Sequence, residues 1–178
     1  MTNNEKNAIQ KSMGGTMLLI AWGLIFAGLI AFFTNWQDKR TNPNQQLVGL
    51  VDPYGVREII LVANRNHHYV VSGEINGEPV TFLVDTGATD VSVPESLAEK
   101  LGLHKGLKGY AHTANGTVGI YATTIDTLIL GNLEFHNLPA SINPGMDDDL
   151  EVLLGMSALR QLELIQIDNK LTLRQHLK

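Results

Sequence analysis

The chain has 178 residues, which is enough for one ordinary domain and an appendage. Apolar residues make up 44% of it, and this content supports a folded core. The net charge of −5 and the lack of a Lys/Arg cluster argue against nucleic-acid binding, because phosphate recognition needs a basic surface. The sequence has no cysteine, so disulfides, thiol nucleophiles and zinc–thiolate sites are excluded.

An apolar segment lies near the N-terminus. The 17 residues from Met17 to Phe33 are all uncharged, and Trp36 follows at the place where an aromatic ring would lie at a membrane interface. A cleaved signal peptide is the alternative, but the segment is longer than a usual signal core and no clear small-x-small cleavage site follows it. We therefore predict a transmembrane anchor over residues 17–36, preceded by a cytoplasmic tail over residues 1–16.

The charges that flank this anchor leave its orientation open. Lys6 and Lys11 precede the segment, and Lys39 and Arg40 follow it, so the positive-inside count is level. The free amino group adds one charge to the N-terminal side and favours, by a small margin, a cytoplasmic N-terminus.

Short strands and turns dominate the rest of the chain. Residues 37–46 are polar, and we predict a linker over residues 37–53 before a domain over residues 54–178. Alternating or continuous apolar segments predict strands, and Asn76-Gly77 predicts a tight hairpin turn. The predicted strands are Glu58–Ala63, Tyr69–Ile75, Val80–Val84, Asp90–Val93, Thr123–Leu130, Leu133–Phe135, Val152–Leu154, Glu163–Ile167 and Lys170–Leu173.

Helices are few in this domain. One is predicted over Glu95–Leu101, where Pro94 can begin it and Gly102 can end it. A second short helix is predicted over Ser157–Leu162. The pattern as a whole indicates an all-β fold of curled, barrel-like sheets.

A second hairpin is predicted over Gly109–Ile120. Its tip contains another Asn-Gly pair between small and β-branched residues, and it consists of Ala114, Asn115, Gly116 and Thr117. From the residues alone, one more surface hairpin is the simplest interpretation.

The most informative segment is Leu83-Val84-Asp85-Thr86-Gly87-Ala88. Two apolar strand residues bring a carboxylate onto a turn in which Thr86 can hydrogen-bond to the backbone and Gly87 allows a neighbouring main chain to approach closely. This arrangement suits a carboxylate held rigidly at the floor of a cleft. An ordinary Asp-Thr-Gly turn after a strand is the plainer alternative.

A second notable segment is Val152-Leu153-Leu154-Gly155. An apolar run that ends in glycine predicts a buried strand passing close to another backbone. Taken alone, it is simply a core strand.

The motif at Asp85, continued by Thr89, resembles the active-site motif of aspartic proteases. Because the sequence contains one copy and not two, it is similar to the retropepsin-like branch of that group. The resemblance implies a retropepsin-like acid-protease barrel, with one lobe per chain, and a homodimer that places Asp85 beside its symmetry mate. Asp85 would be the catalytic residue.

The same resemblance implies roles for three further sets of residues. An active-site loop, a mobile flap and a strand that clamps the loop are expected. They comprise Thr86, Gly87, Ala88 and Thr89 for the loop, Ala114, Asn115, Gly116 and Thr117 for the flap, and Leu153, Leu154 and Gly155 for the clamping strand.

Chemistry and location follow from the resemblance as well. It implies cleavage of a protein or peptide substrate by a water molecule that an Asp dyad activates, with no metal and no organic cofactor. Membrane-anchored bacterial members would be single-pass proteins of the inner membrane with the C-terminal domain in the periplasm.

Other functions have less support. The six histidines show no i, i+4 ligand pair, and Asp147-Asp148-Asp149 lacks the spacing of a calcium loop. No serine has a G-x-S-x-G context. Two alternatives to a protease stay open: a catalytically silent binding or assembly module at the membrane, and a monomeric β-barrel carrier of a small molecule.

Overall fold

A computed structural model of the protein describes residues 3–113, 116–146 and 151–176. The chain forms two compact units, Met1–Arg40 and Thr41–Lys178.

The first unit is a single helix, α1, which spans Asn3–Thr41. An 18-residue window within its segment Met17–Thr41 has a mean hydropathy of 2.3 and is not buried. This is the one helix among the described residues that is long and apolar enough to cross a membrane, although a signal sequence at this position would have the same properties. Near its end, the Arg40 guanidinium lies 3.3 Å from the centre of the Trp36 ring.

The second unit is mostly β. Two short α-helices and one 3₁₀ turn over Pro144–Met146 interrupt its strands. The elements are β1 Leu50–Val51, β2 Arg57–Val62, β3 Val70–Ile75, β4 Glu78–Val84, β5 Val91–Pro94, α2 Glu95–Ala98, β6 Lys108–Thr113, β7 Gly116–Leu130, β8 Leu133–Asn143, β9 Glu151–Leu154, α3 Met156–Leu159, β10 Glu163–Ile167 and β11 Lys170–Gln175.

Seven strands form one curled sheet in the order β3-β4-β9-β5-β8-β7-β6. β3 also pairs with β7, so the sheet curls until two non-neighbouring strands meet, as the barrel-like prediction requires. The pairs β4–β9 and β5–β8 are parallel, whereas the hairpin pairs are antiparallel. The first hairpin turns at Asn76 and Gly77 with φ of 52° and 83°, which confirms the predicted tight turn.

Four strands form a second sheet in the order β1-β2-β11-β10. β10 and β11 form the predicted hairpin, with Ile167 opposite Lys170 and Asp168 at φ 53° in its turn. β11 then pairs with β2 along its whole length, from Lys170 opposite Val62 to Gln175 opposite Arg57. The last strand, β11, is therefore hydrogen-bonded to β2, which lies near the start of the domain.

The core lies between and inside these sheets. Alternate residues of β2 and β11 point inward, and they meet aromatic and branched side chains from the curled sheet. Fully burying such a side chain contributes about 1.5–3 kcal/mol. The largest fully buried side chains are Phe82, Phe135, Ile59, Leu61, Ile75, Leu101, Ile125, Leu128, Leu130, Leu133, Leu138 and Ile142.

Both predicted helices are shorter than expected. The first ends at Ala98, and a turn then carries the chain to Gly102, where φ is +68°. The second also ends after one turn, at Leu159. The strand predicted from Thr123 is part of a longer one, because β7 pairs with β6 in its first part and with β8 in the rest.

The segment predicted as a linker contains some regular structure. α1 continues to Thr41, and Asn42 and Asn44 directly after it are buried in the second unit. Leu50–Val51 forms β1. The Asn44 side-chain amide forms hydrogen bonds with backbone groups of Val62 and Val70 and so satisfies them.

Candidate active site

Asp85 is held at the end of β4 from both sides. Its N–H donates to the carbonyl of Leu154 in β9, with an N···O distance of 3.2 Å. The preceding residue, Val84, donates to the carbonyl of Tyr69 at 2.9 Å. Because β9 and β3 flank β4 here, the main chain at Asp85 is fixed before the turn begins.

The carboxylate of Asp85 is half-buried and is held by its own turn. Its Oδ1 accepts a hydrogen bond from the N–H of Gly87 at 2.8 Å, and its backbone carbonyl accepts from Ala88 at 3.3 Å. A Cβ atom at position 87 would lie 3.1 Å from that Oδ1. The group that approaches Gly87 is therefore the Asp85 carboxylate, and not the neighbouring main chain that the sequence suggested.

The other loop residues differ in exposure. Thr86, Gly87 and Thr89 are exposed, and Ala88 is half-buried. Thr86 makes no side-chain hydrogen bond to any residue that the structure describes, so the expected bond back to the backbone is not seen among those residues.

The loop is fastened from below by the start of α3. The N–H of Met156 donates to the carbonyl of Ala88 at 2.8 Å, and the N–H of Ser157 donates to that of Thr89 at 2.9 Å. The buried Ser157 Oγ accepts from the N–H of Val91 at 3.0 Å. Sequence reasoning did not identify Met156 or Ser157 as part of this site, since a polar residue after Gly155 was the sole signal.

Gly155 allows this fastening. A Cβ atom here would lie 2.2 Å from the carbonyl oxygen of Asp90 and 2.8 Å from that of Ala88, both far inside van der Waals contact. Leu153 and Leu154 precede it in β9, where they pair with Leu83 and Val84 of β4. The two apolar segments singled out in the sequence are thus neighbouring parallel strands.

The hairpin of β6 and β7 carries the predicted flap. Thr113 Oγ1 donates to the carbonyl of Gly116 at 2.9 Å, and His112 Nδ1 lies 2.9 Å from Thr117 Oγ1 across the strands. Ala114 and Asn115, the other predicted tip residues, lie outside the described residues. His112 was not singled out from the sequence, because the identity of its cross-strand partner depends on register.

The charged pair with a shifted pKa lies away from Asp85. In the four-stranded sheet, Arg174 Nε donates to Glu58 Oε2 at 2.5 Å, and this bond and the attraction to Glu58 raise the pKa of Arg174 above its ordinary value. Glu163 adds to the attraction from 3.8 Å. The described residues contain no group of three or more His, Asp or Glu side chains that could hold a metal ion.

Three surface cavities have a described lining, and none of them includes Asp85. One, of about 440 Å³, is lined by Glu58, Glu163, Arg174 and other residues of the four-stranded sheet. Asp85 itself is half-buried, between the half-buried Val84 and the exposed Thr86 and Gly87. Among the described residues, this chain therefore provides a positioned carboxylate that lines none of these three cavities.

The family model described as gag-polyprotein putative aspartyl protease matches residues 71–161, which is just over half of the chain. The chain belongs to this family. The match contains both Asp85 and Gly155, so the hydrogen-bonded loop and its clamp lie inside the region that defines the aspartyl protease family.

Two relatives align with most of the length of this chain. An uncharacterized protein in the cobV 5′ region of Sinorhizobium sp. is 26% identical over 164 residues, which cover 86% of this chain and 70% of that protein. The uncharacterized protein RP867 of Rickettsia prowazekii (strain Madrid E) is 27% identical over 161 residues, which cover 86% of this chain and 68% of that protein.

A solved structure has the same fold. The crystal structure of a retropepsin-like aspartic protease from Rickettsia conorii matches with a TM-score of 0.56 and 27% sequence identity, over 73% of this chain and 94% of that one. The retropepsin-like fold expected for this aspartyl protease family member is therefore confirmed.

Proposed function

We propose that this protein is a membrane-anchored aspartic endopeptidase in which Asp85 is the catalytic residue. The observation that carries the proposal is the way the carboxylate is held: Gly87 bonds its Oδ1, and the strand ending at Gly155 supports the loop from beneath. An aspartate with no function at the surface would not require a glycine such as Gly155 beneath its loop. Membership of the aspartyl protease family supports the same conclusion.

The proposed chemistry needs two carboxylates within a few ångströms of each other. Ionisation of both groups is unfavourable because their negative charges repel each other, so the pair shares one proton. The ionised member takes a proton from a bound water as the water oxygen attacks the scissile carbonyl carbon, and the protonated member gives its proton to the carbonyl oxygen. When the tetrahedral intermediate collapses, the C–N bond breaks and a proton passes to the leaving nitrogen.

A homodimer would supply the second carboxylate. The sequence contains one D-T-G motif, so the dyad would consist of Asp85 and Asp85 of a second copy on a two-fold axis. The exposed Thr86 and Gly87 are then available for contacts across the axis. In this arrangement Thr86 braces the loop and Gly87 offers its main chain to an extended peptide, while Ala88 leaves room beside the cleft and Thr89 completes the loop.

The flap and the location complete the proposal. The tip from Ala114 to Thr117 closes over the peptide, and opening and closing of such a hairpin gates access. α1 anchors the enzyme as a single-pass protein of the bacterial inner membrane, with the domain in the periplasm.

Cleavage of an unstructured protein such as casein at acidic pH tests the proposal. The purified full-length chain in detergent should release peptides, and Asp85→Asn should abolish release while leaving the thermal unfolding temperature nearly unchanged. Asp126→Asn is the matched control, because Asp126 is an exposed residue of β7 outside the motif. If Asp85→Asn cleaves as fast as the wild type, Asp85 is not catalytic. If no condition gives cleavage but substrates still bind, the silent binding module is the better description.

A further inference from the structure

A rigid loop of the domain is tied to the residue where α1 ends. The loop, Asn64 to His68, connects β2 to β3, and we call it the 64–68 loop. Asn64 organises it: Oδ1 accepts from the N–H groups of Asn66 at 2.9 Å and His68 at 3.0 Å. Asn64 Nδ2 donates to the carbonyl of Thr41 at 3.1 Å. The loop is therefore a closed turn fixed to Thr41.

Chain length limits how far this loop can lie from a membrane that α1 crosses. Thr41 is eight residues after Phe33, the last residue of the apolar run, and the helix is continuous between them. At about 1.5 Å per residue this segment is about 12 Å long, whereas one headgroup layer is about 5–8 Å thick. A loop that hydrogen-bonds Thr41 is thus held within a few ångströms of the outer edge of the headgroup layer.

The exposed side chains of the 64–68 loop include one arginine and two histidines, which offer N–H donors. Arg65, His67 and His68 are all exposed, and no acidic residue occurs between Glu58 and Glu74 in the sequence. The left-handed backbone at His67, with φ of 61°, is maintained by the hydrogen bonds within the loop.

Other charged groups near the loop do not reverse this charge. The turn between β10 and β11 lies beside it, because Ala63 donates to the carbonyl of Asn169 at 2.8 Å. That turn brings one carboxylate, Asp168, and one ammonium, Lys170, which offset each other.

We propose that the 64–68 loop binds the phosphate groups of anionic phospholipids and so fixes the orientation of the domain on the bilayer. Arg65 provides the planar, two-pronged donor that suits a phosphate, and His67 and His68 add N–H donors. The inference rests on the proposed membrane anchor.

The experiment uses a fluorophore on the loop of the full-length chain. The chain has no native cysteine, so Asn66→Cys gives one attachment site, and the Asn66 side chain makes none of the hydrogen bonds that close the loop. The labelled protein is reconstituted into vesicles of phosphatidylcholine alone or with about one quarter phosphatidylglycerol, each carrying a nitroxide on the lipid headgroup. Quenching should be about twofold greater with phosphatidylglycerol and should fall at high salt.

Charge removal provides the matched comparison. Combined Arg65→Gln, His67→Asn and His68→Gln should abolish the lipid dependence, with asparagine chosen because it tolerates the left-handed backbone at position 67. Arg160→Gln, which removes an exposed arginine at the end of α3, should preserve it. Equal quenching in both vesicle types, or full lipid dependence in the triple variant, would overturn the proposal.

A flotation step separates this proposal from the anchor on which it rests. If the unmodified full-length chain does not float with either vesicle and is released by alkaline carbonate, both the anchor and the headgroup contact are wrong. If the chain floats and resists carbonate while quenching ignores phosphatidylglycerol, the anchor stands and the headgroup contact alone is rejected.

Discussion

Individual residues position the carboxylate of Asp85 through contacts that leave almost no spare volume. Gly155 must lack a side chain for β9 to pass beneath the loop, and a Cβ atom at position 87 would lie 3.1 Å from the Oδ1 to which the Gly87 N–H donates. Gly87 thus leaves room for the carboxylate, and Gly155 leaves room for the backbone carbonyls of Ala88 and Asp90. Several independent contacts therefore fix the conformation of the loop, as a preorganised catalytic group requires.

Gly155→Ala should damage both stability and activity. The new Cβ would meet backbone oxygens of Ala88 and Asp90, which cannot rotate away as a side chain can, and overpacking of this kind costs about 1–3 kcal/mol. A shift of about 1 Å at Asp85 should lower kcat/KM about 100-fold. Urea unfolding and peptide cleavage measure the two effects.

Gly109→Ala is the matched control for the stability measurement. The nearest atom to a Cβ at Gly109 is 3.8 Å away, which is ordinary contact. Its free energy of unfolding should change by less than about 0.5 kcal/mol. Equal destabilisation by the two substitutions would show that the close contact at Gly155 relaxes freely.

At the scale of elements, the two sheets are joined by a buried side chain in a segment without regular structure. Asn44 Nδ2 donates to the carbonyls of Val62 in β2 and Val70 in β3, at 2.9 and 2.7 Å, and Oδ1 accepts from the N–H of Val62 at 2.7 Å. The Asn44 carbonyl also accepts from Ser72 at 3.3 Å. β3 pairs with β4, so this connection supports the strand that presents Asp85.

Asn44→Ala should lower the free energy of unfolding by about 2–3 kcal/mol, because it leaves a buried backbone carbonyl in β3 and partly buried backbone groups in β2 without their partner. Asn66→Ala is the control, since that side chain is exposed and makes no hydrogen bond that holds the loop. Chemical denaturation of both variants tests this. A change below about 1 kcal/mol for Asn44→Ala would mean that water replaces the amide.

The ion pair on the four-stranded sheet should matter little. Arg174 and Glu58 are partly exposed, and exposed pairs are screened by solvent. The raised pKa of Arg174 means that its contribution is present at every pH below the ordinary arginine range and is lost only as the pH rises through that raised value. Arg174→Gln should therefore shift the denaturant midpoint slightly and equally at about pH 6 and pH 9. A large difference between these pH values would contradict this.

For the whole molecule, the proposed catalytic unit is larger than one chain. The cavities with a described lining do not include Asp85, and the motif occurs once, so under the proposed function one protomer would supply one of the two carboxylates. Two-fold pairing would bring the two carboxylates together in one cleft. If α1 anchors both chains in one bilayer, their effective concentration rises without any additional contact.

Mixing experiments should reveal a shared site. With about nine Asp85→Asn chains for each wild-type chain, random pairing leaves about one tenth of the wild-type chains with a wild-type partner, so activity per wild-type chain should fall about tenfold. Asp126→Asn chains in the same excess should not inhibit. Specific activity in detergent should also decline on dilution. Constant specific activity in a particle that sediments as a monomer would reject the shared site.

Much of this protein could be predicted from its sequence because the informative features are local. Apolar alternation indicated most strands, the Asn76-Gly77 pair indicated its hairpin, and the composition of residues 17–33 indicated a candidate membrane span. The motif around Asp85 is also a local string, since it describes one strand and the turn that follows it. Such patterns report what a short segment does to its own backbone.

Contacts between distant segments could be decided only by the tertiary structure. Gly155 lies 70 residues after Asp85, and its need for glycine depends on where Ala88 and Asp90 pass. Ser157 Oγ accepts a hydrogen bond from the N–H of Val91, and Asn44 joins the two sheets. A serine or an asparagine in the sequence does not by itself indicate such a role. A polar residue is normally exposed to solvent, and it becomes a buried hydrogen-bond partner only when distant segments of the chain pack around it. For that reason the sequence indicated the carboxylate, and the fold revealed what holds it.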